Sequence, residues 1–240
     1  MTEKMGFTRR GSPYGYDYTD DTVLTMAVAD SILHKKDFAS TIWNYARKYK
    51  QRGYGGRFAE WIRKTDLQPY NSFGNGSAMR VSAVGFAYKD LSEVLNVAKQ
   101  SAAVTHNHPE GIKGAQAVAA SIFLAKTDNS KNIIKDYITE NFSYDLEDSI
   151  ANIRPFYMFD ETCQGSVPQA IIAFLESTDY ENAIRLAISL GGDSDTIACI
   201  TGGIAAAFYK KIPDKILDFT KAKLPIEFLE LIDEFERTFI

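Results

Sequence analysis

Cysteine and histidine are scarce in this 240-residue sequence, which contains two cysteines and three histidines. No Cys-x-x-Cys pair occurs, and neither Cys163 nor Cys199 has a histidine near it in sequence. This argues against a zinc finger and against a framework of disulfide bonds. Cys199 lies in an apolar run, where a thiol behaves as a small hydrophobic side chain. The simplest expectation is a cytoplasmic protein.

Long apolar runs are also missing. The longest apolar region, residues 197–208, is well short of the roughly 20 residues that a membrane-spanning helix needs. Thr201, Gly202 and Gly203 interrupt it further. The first ten residues contain no apolar stretch of signal-peptide length. We therefore expect neither a membrane partner nor a secretory leader.

The charge balance shows no basic excess, because 27 Lys and Arg residues face 31 Asp and Glu residues. The formal net charge of -4 argues against an extended nucleic-acid-binding surface. A compact nucleotide-like ligand needs only a few local donors and stays compatible with this charge. The length suits one domain. No repeat or linker divides the chain, so we predict a single domain over 1–240 with an irregular N-terminal segment over 1–18.

Strand-like alternation is rare, whereas apolar residues recur at helical spacing along most of the chain. Asp37 and Asp90 are suited to cap helices, and Pro109 is suited to begin one. The pattern predicts an all-α fold, a compact single-domain orthogonal bundle of many helices; an α-solenoid is the alternative, but no fixed period occurs. Residues 143–153 stay unassigned. The main predicted helices cover 22–33, a segment after Asp37, 57–63, 78–88, a segment after Asp90, 111–125, 133–141, 168–177, 180–190, 195–209 and two near the C-terminus.

Two acidic segments each stand directly before an apolar helix: Thr19-Asp20-Asp21-Thr22, and Gly191 to Thr196 with Asp193 and Asp195. Helix capping explains one acid in each. A second carboxylate beside an apolar helix needs a compensating cation, and neither segment contains Lys or Arg. An all-oxygen ligand set suits Mg²⁺, Mn²⁺ or Ca²⁺ better than Zn²⁺. If the segments converge, their four carboxylates are suited to two divalent ions.

Three polar segments provide candidate ligand contacts. Gly74 to Arg80 is a glycine-bearing turn whose backbone N–H groups are suited to phosphate, although an ordinary loop explains it too. Thr105 to Gly111 contains His106 and His108, which suit a ligand-contacting loop, a cap for the following helix, or a metal site without further ligands. Cys163 to Pro168 looks like a polar turn before a helix. The aromatic residues before it, Phe156, Tyr157 and Phe159, suit either a core cluster or stacking on a base.

These segments together resemble the ADP-ribosylglycohydrolase family, which includes the dinitrogenase reductase-activating glycohydrolases. Four matching pieces occur in the family's order and span most of the chain. The most specific of them runs from Leu190 through Asp193 and Asp195 to Ala198. The matching pieces are Tyr18 to Thr22, Gly74 to Arg80, Thr105 to Gly111 with Gly114-Ala115, and Ser189 to Ala207.

The resemblance implies an all-α hydrolase built around two Mg²⁺ ions, with Mn²⁺ as a substitute. It would hydrolyse the bond at C1″ that joins ADP-ribose to a protein side chain, with arginine-linked ADP-ribose favoured and other ADP-ribose conjugates open. Asp193 or Asp195 would accept the proton of the attacking water. The implied metal ligands are Thr19, Asp20, Asp21, Asp193, Asp195 and Thr196. The implied ligand-binding residues are Asn75, Gly76, Ser77, Ala78, His106 and His108.

One departure from the family pattern concerns the N-terminus. Family members usually carry an additional helix with a Gly-Asp pair and a following acidic residue, whereas no Gly-Asp pair precedes Thr19 here. Of the acids available, Glu3 and Asp17, neither clearly fits that role. The alternative is therefore a family member that binds ADP-ribose with impaired turnover. A dinuclear nucleotide phosphohydrolase is a third hypothesis, which the acids alone would suit.

Overall fold

A computed structural model describes residues 17–240, in which the chain forms helices and no strand. The predicted all-α fold is confirmed over these residues. Of the predicted irregular segment 1–18, only Asp17 and Tyr18 are described, and neither is helical. The helices are α1 (Asp20–Leu33), α2 (Phe38–Lys48), α3 (Gly56–Trp61), α4 (Gly76–Met79), α5 (Ser82–Ala87), α6 (Leu91–Ala103), α7 (Pro109–Lys126), α8 (Lys131–Phe142), α9 (Ile150–Ile153), α10 (Cys163–Glu176), α11 (Tyr180–Ser189), α12 (Ser194–Tyr209), α13 (Asp214–Lys221) and α14 (Ile226–Phe239).

Side-chain caps fix the starts of several helices. The Asp37 carboxylate accepts a hydrogen bond from Ser40 N at the start of α2, and Asp90 accepts one from Glu93 N at the start of α6. Both caps were predicted from the sequence. His108 caps α7 through Nδ1, which accepts from Glu110 N at 3.1 Å, and Pro109 takes the first helical position. These local bonds satisfy N–H groups that a helix start leaves unpaired.

The central element of the core is α7, which packs against α4, α5, α6, α8, α10 and α12. Its buried side is rich in alanine, which lets neighbouring helices approach closely. At Gly85 of α5, an added Cβ would lie 2.6 Å from Ile122 and 2.8 Å from the Ala119 carbonyl oxygen. The contact between α5 and α7 therefore requires glycine at position 85. No helix among residues 17–240 is both long and apolar enough to cross a bilayer.

The segment predicted as one helix over 78–88 is two short helices, so that prediction was wrong in its continuity. The chain turns between α4 and α5, where Val81 N bonds Ala78 O and Val84 N bonds Val81 O. The turn directs the Arg80 side chain into the protein, where its guanidinium donates to the Ser101 carbonyl at 2.8 Å. The contact between Arg80 and Ser101, which are 21 positions apart, accompanies this break between the helices. The local periodicity of apolar residues gives no signal for such a contact.

The start of α10 is a second correction. Residues 163–168 are its first turns and not a turn before it, because Thr162 caps the helix by accepting from Gly165 N at 3.0 Å. Pro168 lies inside the helix and is buried. Its missing N–H costs one hydrogen bond, which the packing of the surrounding apolar residues offsets. Residues 143–153, unassigned from the sequence, form a loop that ends in the single turn of α9.

Candidate functional site

The two acidic segments meet at one cleft. Helices α1 and α12 both begin at its wall, so residues more than 170 positions apart in sequence face the same space. The cleft has a volume of about 250 Å³ and is open to solvent. The six residues that the sequence suggested as metal ligands all line it: Thr19, Asp20, Asp21, Asp193, Asp195 and Thr196.

Three carboxyl groups of the cleft, those of Asp20, Asp21 and Asp193, have raised pKa values, mainly because they are buried. Burial raises the pKa of Asp20 to about 8, and the neighbouring Asp21 charge adds to the rise. Burial also raises the pKa of Asp21 to about 7, with Asp195 the next largest contribution. The pKa of Asp193 is raised as well, again mainly because the group is buried. Carboxyl groups that are both dehydrated and mutually repulsive favour a proton or a bound cation.

Asp21 is the most enclosed of these carboxyl groups, with 5% of the residue exposed. Its Oδ2 accepts a hydrogen bond from Thr19 Oγ1 at 2.8 Å. Its Oδ1 is buried and has no hydrogen-bond partner among the described residues. A buried carboxylate oxygen without a donor is costly, and a cation is one of the few groups that would satisfy it.

Asp193 and Asp195 differ in their surroundings. Asp193 is half-buried, and its Oδ2 accepts a hydrogen bond from Asn75 Nδ2 at 2.7 Å. The same amide nitrogen donates to Ser166 Oγ at 2.9 Å, so the orientation of Asn75 is fixed from two sides. Asp195 is exposed at the first turn of α12. Asn75 thus fixes the orientation of Asp193, whereas Asp195 is the more exposed of the two carboxylates.

The carboxyl groups of the cleft do not form a closed cluster of metal ligands in this arrangement. Within residues 17–240, no three His, Cys, Asp or Glu side chains are grouped closely enough to hold a metal ion as they stand. The donor set nevertheless fits a hard divalent cation, because it consists of oxygen atoms and includes the unpartnered Asp21 Oδ1. Binding would require side-chain rotations that bring a further carboxylate toward Asp21.

The suggested ligand-binding residues divide into two groups. Asn75, Gly76 and His106 line the cleft. Ser77, Ala78 and His108 lie outside its lining. Ser77 and Ala78 are buried behind it, where Ser77 Oγ donates to the Gly111 carbonyl at 2.7 Å.

His108 serves as the cap of α7. Its ring also packs against Phe73, with ring centroids 5.3 Å apart. The capping alternative weighed from the sequence therefore describes His108, whereas His106 is the histidine that faces the cleft.

One wall of the cleft was not predicted. The segment Arg52 to Arg57, to which the sequence assigned no part in the site, lies beside Asp20 and contributes several lining residues. Its Arg52 carbonyl accepts a hydrogen bond from Asp20 N at 2.8 Å. Gly53 has φ +97°, and a Cβ there would lie 3.3 Å from Asp20 Oδ1. The signal available in the sequence was a glycine-rich turn next to arginine, which alone is weak.

The aromatic residues before α10 are not a core cluster. Phe156 and Phe159 are 83% and 66% exposed, and Phe159 lines the cleft. Tyr157 is half-buried, and its hydroxyl donates to the Gly165 carbonyl at 2.7 Å. The core alternative is therefore wrong for the two phenylalanines, since the loop carries them outward next to the acids.

Comparisons with known proteins agree with this fold. ADP-ribosylhydrolase ARH3 of Homo sapiens is 29% identical to the chain, over 80% of this chain and 70% of the human protein. An uncharacterised protein of Archaeoglobus fulgidus is 28% identical, over 91% of this chain and 81% of its own length. A solved structure described as an ADP-ribosylglycohydrolase-related protein complex has the same fold, with a TM-score of 0.72 and 24% identity, over 92% of this chain and 82% of that one.

The family assignment follows from the extent of the match. The model of the ADP-ribosylglycohydrolase family matches residues 2–238, which is nearly the whole chain. The matched region contains both acidic segments and every element that lines the cleft. The resemblance seen in the sequence is confirmed, and the chain belongs to the ADP-ribosylglycohydrolase family of enzymes.

Proposed function

We propose that this protein is a magnesium-dependent hydrolase that removes ADP-ribose from a modified protein side chain. The observation that carries the proposal is the meeting of Asp20 and Asp21 with Asp193 and Asp195 at one cleft. Family membership adds the substrate class, because relatives such as the human protein are named ADP-ribosylhydrolases. The cleft is open to solvent, so a ligand is able to reach these acids from outside.

The residues proposed to hold two Mg²⁺ ions, or Mn²⁺ in their place, are the six named above. Thr19, Asp20 and Asp21 lie on the α1 side, and Asp193, Asp195 and Thr196 lie on the α12 side. Hard oxygen donors suit Mg²⁺, which keeps several waters and commonly takes only one or two carboxylates. When bound, such ions supply a polarised water and a fixed position for the ribose hydroxyls.

The protein's own contribution to hydrolysis is a proton acceptor and a fixed orientation. Water adds its oxygen to C1″, its proton passes to a carboxylate, and the bond to the side chain breaks with the leaving atom taking up a proton. We propose Asp193 or Asp195, which both line the cleft, as that carboxylate, and Asn75 holds the first of them in one orientation. The remaining acids favour the positive charge that develops at C1″ in an oxocarbenium-like transition state.

Arginine-linked ADP-ribose is the favoured substrate within this proposal. Family analogy motivates it. Serine-linked, nucleic-acid-linked and small ADP-ribose conjugates are the comparison substrates. We also propose that the protein acts in the cytoplasm.

The decisive experiment is an assay of ADP-ribose release from arginine-ADP-ribosylated protein, with Mg²⁺ or with EDTA. Serine-ADP-ribosylated protein serves as the parallel substrate. Release that requires Mg²⁺ supports the proposal, and the ratio of the two rates decides the linkage. Binding of ADP-ribose without release from any substrate would favour a family member with impaired turnover. Release of phosphate or a nucleoside monophosphate would instead identify a phosphohydrolase.

A further inference from the structure

A buried arginine, Arg80, lies on the lining of the cleft, and it has no acidic partner among residues 17–240. Arg80 is 0% exposed, and burial lowers the pKa of its guanidinium to about 10. Only Nη2 has partners among the described residues, the Ser101 carbonyl and Thr105 Oγ1, while Nε and Nη1 are unpaired. Burying a guanidinium with so few hydrogen-bond partners costs free energy of folding. We therefore expect Arg80 to have a role beyond packing.

The hydrogen bonds of Arg80 lead directly to His106. Arg80 Nη2 donates to Thr105 Oγ1 at 2.9 Å, and Thr105 Oγ1 lies 2.7 Å from His106 Nδ1. Thr105 is 0% exposed and His106 is 4% exposed, so water does not compete for these bonds. The three side chains form one chain of hydrogen bonds that ends at a cleft-lining imidazole.

The direction of these bonds follows from what each group is able to donate. A guanidinium has donors only, so the Thr105 oxygen accepts from Arg80. The hydroxyl has one hydrogen, and among the described residues His106 Nδ1 is its only available acceptor. If Nδ1 instead carried a hydrogen, the Thr105 hydroxyl would be a buried donor without an acceptor. His106 Nδ1 is therefore an acceptor, and its ring hydrogen lies on Nε2.

The electrostatics act in the same direction. Burial lowers the pKa of His106 well below its ordinary value, and the positive charge of Arg80 lowers it further. The imidazole is thus neutral, with one donor and one acceptor nitrogen. Burial and the charge of Arg80 set the protonation state of His106, whereas the hydrogen bond from Thr105 sets its tautomer.

The free edge of the ring lies against the glycine loop. An added Cβ at Gly76 would lie 3.2 Å from His106 Nε2 and 3.3 Å from Cε1, and one at Gly74 would lie 3.6 Å from Nε2. The absence of side chains at these positions leaves room for the Nε2 edge. Nε2 has no hydrogen-bond partner among residues 17–240, and the three residues share the lining of the cleft.

We propose that Arg80 and Thr105 are positioning residues that hold His106 as a neutral Nε2–H donor aimed at an acceptor oxygen of the bound ligand. The identity of that ligand, ADP-ribose, rests on the proposed function; the tautomer does not. His106 itself is the residue that touches the ligand, and the other two act through it. The arrangement fits an oxygen atom of a phosphate or a ribose, since a donor nitrogen would find no acceptor there.

The first test is spectroscopic and needs no substrate. The chain has three histidines, so ¹⁵N-labelled histidine gives few signals, and the His106→Gln variant identifies the one from His106. We expect proton-bearing Nε2 and bare Nδ1 between about pH 5 and pH 8, without a titration step. Thr105→Val keeps the shape of the side chain and removes its hydroxyl, so the tautomer preference should be lost. Thr105→Ser should restore it.

The second test measures ADP-ribose binding by calorimetry and turnover by product release. We expect Thr105→Val to weaken ADP-ribose binding about tenfold, the cost of one misdirected hydrogen bond, and to raise KM more than it lowers kcat. Thr105→Ser should restore both values, which a merely structural role would not require. Arg80→Lys keeps the charge and should keep His106 neutral.

Two results would overturn the inference: a wild-type signal with the proton on Nδ1, or a Thr105→Val variant with unchanged tautomer and unchanged ADP-ribose affinity. Wild-type protein that has the expected tautomer but does not bind ADP-ribose would reject the ligand assigned by the proposed function and leave the positioning role standing. The spectroscopic and binding results thus separate the two hypotheses.

Discussion

At the scale of single residues, some features of the site depend on the local sequence and others on contacts that only the fold supplies. Paired acids without neighbouring Lys or Arg indicated a cation site, because that argument depends on local charge alone. Two features depend on α7 and could not be derived from the spacing of residues. Ser77 and Ala78 are buried behind the cleft, and His108 caps the start of α7. The Arg52 to Arg57 wall likewise faces the acids only because of the tertiary fold.

The exposed carboxylate of Asp195 gives the sharpest mutational test of the site. Asp195→Ala should lower ADP-ribose release by at least about a hundredfold, the usual contribution of a positioned acid or base. It should also weaken Mg²⁺ binding measured by calorimetry. The change leaves no cavity, since Asp195 is exposed on the first turn of α12. Circular dichroism should therefore show nearly unchanged helix content.

His34→Ala is the matched control for that variant. His34 stands at the end of α1 with 40% of its side chain exposed and bonds Asp30 through Nδ1 at 2.7 Å, away from the cleft lining. The rate of ADP-ribose release by the His34→Ala variant should equal that of the wild type. Full activity of Asp195→Ala would remove Asp195 from the proposed site, and a large loss in His34→Ala would show that the site extends to the far end of α1.

At the scale of helices, most starts could be predicted and some interior boundaries could not. The starts of α2 and α6 follow from aspartate caps, which act within three residues. The break between α4 and α5 follows from the inward turn of Arg80, and the early start of α10 follows from Thr162. A cap signal is local, whereas the break depends on a partner 21 residues away.

Gly85 tests how closely α5 and α7 must approach. Gly85→Ala should lower the free energy of unfolding by about 1–2 kcal/mol, because the overlap with Ile122 and the Ala119 carbonyl outweighs the better helix propensity of alanine. Urea unfolding measures the change. Gly56→Ala is the control: it lies in α3 with no atom within 4 Å of the added Cβ, and it should be neutral or stabilising. Equal stability of both variants would contradict the close packing.

At the scale of the whole molecule, the proposed cation would join the first helix to the twelfth. Ligands on α1 and α12 would tie together segments more than 170 residues apart, and binding to the folded state alone raises its stability. Mg²⁺ at about a hundred times its Kd should therefore raise Tm by roughly 5 °C or more relative to EDTA.

Scanning fluorimetry at matched ionic strength measures this shift, with NaCl replacing MgCl₂ in the reference sample. Asp195→Ala should reduce it, while His34→Ala, which changes a residue away from the cleft lining, should keep it in full. A Tm that does not respond to Mg²⁺ in the wild type would mean that the acids of α1 and α12 do not bind the ion in the folded protein.

The division of the acids between the two ends of the chain also suggests a use as a split reporter. The exposed Asp128 lies in the short turn between α7 and α8. A chain divided there would leave Asp20 and Asp21 on one fragment and Asp193 and Asp195 on the other. Neither fragment would contain a complete site, so ADP-ribose release would depend on reassembly. Fused to two candidate binding partners, the fragments would convert an association event into an enzymatic signal.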